Sequence, residues 1–192
     1  MGCVNGKNRL QDSDIQFLIK NTDLKEDKIK EHYETFTAKH PEGKLDHKSF
    51  IEMMNLCFPE ADADNLERHI FRMYDSNLDG IIDFREFMLV VYIMSKGSPE
   101  ENLKQIFKLL DINSDGSVTV AEFKRVIRDM FLLTNKKEVD SCIQELLAEK
   151  AFIEMDSDSD GKVTQEEFIK AILSEKEFST MLTLRIIDVF VD

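Results

Sequence analysis

Asp75-Ser-Asn-Leu-Asp-Gly-Ile-Ile-Asp-Phe-Arg-Glu86 sets oxygen-bearing side chains on alternate residues, turns on a glycine and closes on a glutamate. A hard divalent cation needs oxygen on every side, and this twelve-residue frame supplies it. Asp75, Asn77 and Asp79 offer side-chain oxygens at positions one, three and five, and Gly80 permits the sharp turn at six. Ile81 offers its backbone carbonyl at seven. Asp83 stands at nine, where the ion is often reached through water, and Glu86 closes the cage with both carboxylate oxygens. A merely solvated acidic turn needs no such spacing.

The pattern returns twice. Asp111-Ile-Asn-Ser-Asp-Gly-Ser-Val-Thr-Val-Ala-Glu122 offers Asp111, Asn113, Asp115, the Ser117 carbonyl, Thr119 and Glu122. Asp156-Ser-Asp-Ser-Asp-Gly-Lys-Val-Thr-Gln-Glu-Glu167 offers Asp156, Asp158, Asp160, the Lys162 carbonyl, Thr164 and Glu167. The frame thus predicts three calcium sites, with affinities of about 10⁻⁷ to 10⁻⁵ M. Asp111–Glu122, with the fewest carboxylates, is expected to be the weakest. A glutamate at every position twelve favours calcium over magnesium, which demands a stricter octahedron, although a resting cell can load one loop with Mg2+. Thr119 and Thr164 also form capping boxes with the glutamates three residues on, so ion binding and helix initiation use the same residues.

Apolar residues at spacings of three and four flank each loop and predict helix, loop, helix units. Leu66, Ile70, Phe71 and Tyr74 lead into the first loop, and Phe84, Phe87, Met88 and Val91 lead out. Leu103, Ile106, Phe107 and Leu110 precede the second, and Val126, Ile127, Met130 and Phe131 follow it; Phe168 and Ile172 follow the third. Upstream, Ala38-Lys-His-Pro-Glu-Gly-Lys-Leu-Asp-His-Lys-Ser49 keeps Gly43 at position six and Leu45 at eight but has lost its ligands. Ala38 cannot donate oxygen at position one and Ser49 cannot chelate at twelve. It reads as a disabled loop kept as a pairing partner, and His40 and His47 as ordinary surface histidines.

Further toward the N-terminus, Phe17 and Leu18, then Ile29, Tyr33 and Phe36, mark two amphipathic patches separated by a polar stretch. Pro59 is expected to stop the helix that carries Met53 and Met54, and Asp64 to cap the next. Ser95-Lys-Gly97 reads as a flexible break, and Ser98-Pro99-Glu100-Glu101 as a capped restart, which predicts lobes at residues 1–96 and 97–192. The third loop starts 45 residues after the second, against 36 between the first two, so the connection around Leu133 to Val139 is expected to be longer. The apolar segment Met181–Val191 is expected to pack over the C-terminal lobe.

Among 192 residues, 38 are acidic and 25 basic, and the net charge of −13 argues against nucleic acid as a partner. Three widely spaced cysteines, Cys3, Cys57 and Cys142, and the lack of an apolar secretory segment suggest a reduced, cytoplasmic protein. Gly2 is placed for N-myristoylation, though Gly6 stands where the signal prefers Ser or Thr, and Cys3 could carry a palmitoyl chain. Either chain would attach the protein peripherally to the inner membrane leaflet, with Lys7 and Arg9 adding attraction.

With Gly2, the disabled loop, Cys57-Phe58-Pro59, three intact loops and a paired-lobe layout, the chain resembles the neuronal calcium sensor family over nearly its whole length. Its segment His69-Ile-Phe-Arg-Met-Tyr-Asp75 and the glycine at 80 are most similar to the guanylate cyclase-activating proteins and their inhibitory relative. The resemblance implies an all-α fold of four EF-hands in two lobes, with short β contacts between paired loops. It also implies an N-terminal fatty chain and a membrane guanylate cyclase as target, inhibited when calcium is bound. The chain departs from the family pattern at His40-Pro41, where many members carry cysteine, at His32-Tyr33, where a tryptophan is absent, and at Gly6.

No nucleophile and base pairing, phosphate loop or CxxC motif is present, so the reading is of a regulator rather than an enzyme. Two other readings stay open: a regulator of a channel, receptor kinase or phosphatase, and a calcium buffer. The residues leave open the sign of regulation, the oligomeric state and whether calcium extrudes the fatty chain.

Overall fold

The computed structural model describes residues 9–57, 66–133 and 141–174. Gly2, Cys3, Pro59, Asp64, most of the connection after Leu133 and the segment Met181–Val191 lie outside these residues.

Helix α1 (Asp12–Asn21) is capped at its start by the reciprocal pairing of Gln11 with Asp14, and α2 (Glu26–Lys39) opens on two acidic residues that suit its N-terminal dipole. Leu18, Ile29 and Phe36 bury as their spacing predicts. Phe17 does not. It stays 37% exposed beneath the Arg85 guanidinium, 5.7 Å from the ring centroid, and Ile15 takes the inward position. The disabled loop follows, and within it Gly43 adopts φ 69°, the left-handed turn conformation. Strand β1 (Lys44–Asp46) then leads into α3 (His47–Cys57).

Helix α4 (Leu66–Tyr74) enters the loop at Asp75, β2 (Ile81–Asp83) closes it and α5 (Phe84–Lys96) leaves it. The strands β1 and β2 pair antiparallel with Leu45 opposite Ile82, both fully buried, so the disabled loop supports the intact one. In α5, Phe84 and Met88 face the core, whereas Val91 turns outward and Val90 and Met94 bury in its place.

The break expected at Ser95-Lys-Gly97 is a tight joint. Ser95 and Lys96 are helical, and only Gly97 and Ser98 separate α5 from α6 (Pro99–Leu110). The Gly97 amide donates to the Ile93 carbonyl at 2.7 Å, and a Cβ on residue 97 would lie 2.5 Å from that oxygen. Glycine is there for close approach, not for looseness.

Helix α6 runs to the second intact loop, followed by β3 (Ser117–Thr119) and α7 (Val120–Leu133). The last hand comprises α8 (Ser141–Met155), β4 (Lys162–Thr164) and α9 (Gln165–Ser174). β3 pairs antiparallel with β4, and Val118 faces Val163 as Leu45 faces Ile82. Helix α8 is two-faced: Ala148, Phe152 and Met155 are in the core, while Ile143, Leu146, Leu147 and Ile153 form an outward apolar stripe. Two pairs of EF-hands, each joined by a short β contact, complete the all-α architecture.

Candidate metal centre

Each intact loop is built by the same set of hydrogen bonds, and together they aim oxygens inward. The aspartate at position one accepts the glycine amide at six in every case, 2.9 Å for Asp75 with Gly80, Asp111 with Gly116 and Asp156 with Gly161. Its other oxygen accepts the amide at position five at 3.1 Å. Position three accepts that same amide through Asn77, Asn113 or Asp158, and the aspartate at five in turn accepts the amide at seven, from Ile81, Ser117 or Lys162. Curling the chain this tightly requires left-handed residues at two positions. The glycines at six adopt φ of 81°, 86° and 85°.

Position four carries the second left-handed residue, and here the chain has no glycine. Leu78, Ser114 and Ser159 take φ of 59°, 57° and 59°. Spacing alone did not single these residues out, although each sits between the two side chains whose hydrogen bonds fix the turn.

The glutamate at twelve folds back over each loop. Glu86 accepts from the Asp83 amide at 3.1 Å and the Ser76 amide at 3.0 Å; Glu122 accepts from Thr119 at 2.9 Å and Asn113 at 3.3 Å; Glu167 accepts from Thr164 at 2.9 Å and Ser157 at 3.2 Å. Asp83 returns the bond to Glu86, making a capping box in the first intact loop as Thr119 and Thr164 do in the others. The chain reads the first glutamate differently from the last. Partial burial raises Glu86, helped by the charges of Asp83 and Asp75. Backbone and side-chain bonds from Thr164, with more from Ser157, hold Glu167 down to about 2.

Among the described residues, the carboxylates of Asp156, Asp158 and Glu167 come within 4.8 Å of one another, close enough to share one ion. In the loops at Asp75 and Asp111 position three is an asparagine, so Asn77 or Asn113 presents an amide oxygen where Asp158 presents a carboxylate. Arg85 adds a cation to the first of these, bonding Asp83 at 3.0 Å and reaching Asp14 of α1 at 3.4 Å. The donors available in all three frames are carboxylate, amide, hydroxyl and carbonyl oxygens, the set a hard cation such as calcium takes and a sulfur- or nitrogen-seeking metal does not. His40 and His47 stand apart from these frames: His40 packs on Phe36, and His47 lies on Phe71 with its Nε2 3.2 Å from Glu67.

The EF-hand domain pair family matches residues 63–128 and 100–173. Recoverin of Homo sapiens is 28% identical over 173 residues, covering 88% of this chain and 86% of its own. Neuronal calcium sensor 1 of Aplysia californica is 32% identical over 179 residues, 92% of this chain and 94% of its own. Guanylyl cyclase inhibitory protein of Lithobates pipiens is 27% identical over 157 residues, 80% and 76% of the two chains. Repeated oxygen cages, paired hands and similarity along nearly the full length lead to one assignment: the chain belongs to the neuronal calcium sensor family of EF-hand, calcium-binding proteins.

Proposed function

We propose that this protein is a calcium sensor that regulates a membrane-bound target, a guanylate cyclase of the photoreceptor type, and inhibits it in the calcium-bound state. The observation that carries this reading is the hydrogen-bond frame repeated in three loops, each of which caps the helix that leaves it. The proposed ligands are Asp75, Asn77, Asp79, Ile81, Asp83 and Glu86; Asp111, Asn113, Asp115, Ser117, Thr119 and Glu122; and Asp156, Asp158, Asp160, Lys162, Thr164 and Glu167. Three calcium ions fill the loops in the active state, and magnesium can hold one at rest. The lobes divide at residues 96 and 97.

A sensor must present a surface that its target can read. The N-terminal pair of hands contains an open groove of about 1290 Å³, walled by Phe36, Met53, Phe87, Met88 and Val91 and rimmed by Leu56, which is 84% exposed. An amphipathic helix of the target fits a groove of this kind. The similarity to a guanylyl cyclase inhibitory protein favours the cyclase over other targets. Gly2 and Cys3 supply the fatty chains that bring sensor and target to one membrane. Among the described residues no helix is long and apolar enough to cross a membrane.

Cyclase assays in washed photoreceptor membranes across a calcium titration test the reading. Activity should fall as calcium rises with the protein present, and a flat response ends the cyclase assignment. Fluorescence of an apolar-surface dye separates sensor from buffer, since a buffer leaves the signal unchanged when calcium is added.

A further inference from the structure

The two halves of the molecule meet where the helices entering the first two intact loops, α4 and α6, pack together with α7. Two charged or polar side chains are buried there, and a third, Arg72, is half-buried. His69 of α4 and Asp129 of α7 are 3% and 4% exposed, with Nε2 3.2 Å from Oδ2. Arg72 of α4 crosses to the C-terminal end of α6, where Nη2 donates to the Leu109 carbonyl at 2.8 Å and approaches that of Lys108 at 3.4 Å. Its Nη1 lies 3.5 Å from His69 Nδ1, which fixes the guanidinium from the other side. A guanidinium on the last carbonyls of a helix satisfies acceptors that have no intrahelical donor and complements the negative end of the dipole.

The positions along the chain give this contact its meaning. Arg72 is three residues before Asp75, and Leu109 is two before Asp111. The same side chain therefore ties the start of one loop to the start of the next. Charge runs across the joint in both directions: Arg72 feels Asp111 and Glu122, and Lys108 of α6 feels Glu86. Each entering helix carries a cation that senses the neighbouring loop.

We propose that Arg72 couples the loop at Asp75–Glu86 to the loop at Asp111–Glu122, so that an ion in one raises the affinity of the other. The inference rests on the reading of both loops as calcium sites. An ion bound by Asp75 fixes the end of α4 and the Arg72 stem with it. The guanidinium then holds the carbonyl end of α6, and Asp111 is already in place when its own ion arrives. The ordering cost is met once for two sites, which gives positive cooperativity. Arg72 is a positioning residue here, since it touches neither ion.

Calcium titration calorimetry on the full chain carrying E167Q, which leaves two intact loops, tests the coupling. E86Q should weaken the remaining loop at Asp111–Glu122 about fivefold or more, the low end of ordinary allosteric coupling. In R72M the same E86Q change should leave that affinity within about twofold, a ratio that a merely structural loss would not alter. R72K, which keeps the charge and lacks the fork, repeats the comparison in a variant certain to be less disruptive, and should retain less than half of the coupling ratio. An E86Q effect of equal size with and without Arg72 overturns the coupling and leaves the calcium sites standing. No calcium uptake by the E167Q protein overturns the sites themselves and the coupling with them.

Discussion

Two left-handed residues per loop decide how closely the chain can wrap an ion, and they are not equally suited to the task. Around Gly80 and Gly116 an added Cβ meets nothing within 4 Å, so substitution there costs backbone strain and no clash. G116A should therefore lower unfolding free energy by about 1–2 kcal/mol, measured by urea denaturation with calcium bound. Leu78 is the opposite case, a branched apolar residue at φ 59° with an exposed side chain. Asparagine tolerates this conformation far better, and little buried area is lost. L78N should raise stability by up to about 1 kcal/mol in the same assay; a loss would mean that the leucine makes a contact worth more than its strain.

The residues differ in how well they could be read in advance. The turn that joins Asp75, Gly80 and Glu86 was legible because the spacing that coordination chemistry asks for is also the spacing of a hydrogen-bonded loop, and the Gly80 and Ser76 amides close it on Asp75 and Glu86. Phe17 was misread as core because helical periodicity gives a face and not its edges; Ile15 and Leu18 suffice to fill the inner side, and Arg85 covers Phe17 from without. Arg72, His69 and Asp129 left no local signal at all. Their contacts join residues 37 and 60 positions apart, and only the packing of α4 on α6 and α7 creates them.

Among elements, the joint between α5 and α6 shows where periodicity and composition disagree. Serine, lysine and glycine together suggested slack, yet the apolar run of α5 carries the helix through Lys96, and Gly97 is pinned to Ile93. G97A forces a Cβ against a backbone oxygen, so α5 and α6 must shift apart, and a loss of about 1–3 kcal/mol is expected in thermal or urea unfolding. The contact of α4 with α7 has a signature of its own. Burial pushes His69 down from its usual 6.5; Arg72 and Arg125 push the same way, and Asp129 opposes them. Arg128 also approaches Asp129, at 3.8 Å.

The folded chain thus holds His69 neutral, with Nε2–H donating to Asp129, while the unfolded chain protonates it near 6.5. Between those two pKa values the unfolded state binds more protons, so stability is full above 6.5 and falls as pH drops through the folded value. The urea midpoint should fall between about pH 7 and about pH 5.5 at fixed calcium, and less in H69Q than in the parent chain. Equal slopes would exclude His69 as the source.

For the whole molecule, the net charge of −13 makes the ion-free state self-repelling, and the acids that crowd each loop are where that repulsion is strongest. Chelating calcium should lower the thermal midpoint sharply. At free calcium about 100 times Kd, each filled site adds about 2.7 kcal/mol, so the shift measured by calorimetry also reports how many sites are filled. The fold class was legible at this scale because repeated loops with helical flanks admit few other arrangements. The outward stripe of Ile143, Leu146, Leu147 and Ile153 was not, since a helix apolar on two sides reads from sequence like one that is simply buried.

The short joint at Gly97 and Ser98 also sets the phase of the two halves. With only two residues between helices, one residue more or less would displace α6 along and around its axis by about 1.5 Å and 100°. Leu109 would turn its carbonyl away from Arg72 while the acids kept their arrangement within each loop. On the coupling proposed for Arg72, such a protein would fill with calcium loop by loop, over a broad range of concentration in place of a narrow threshold.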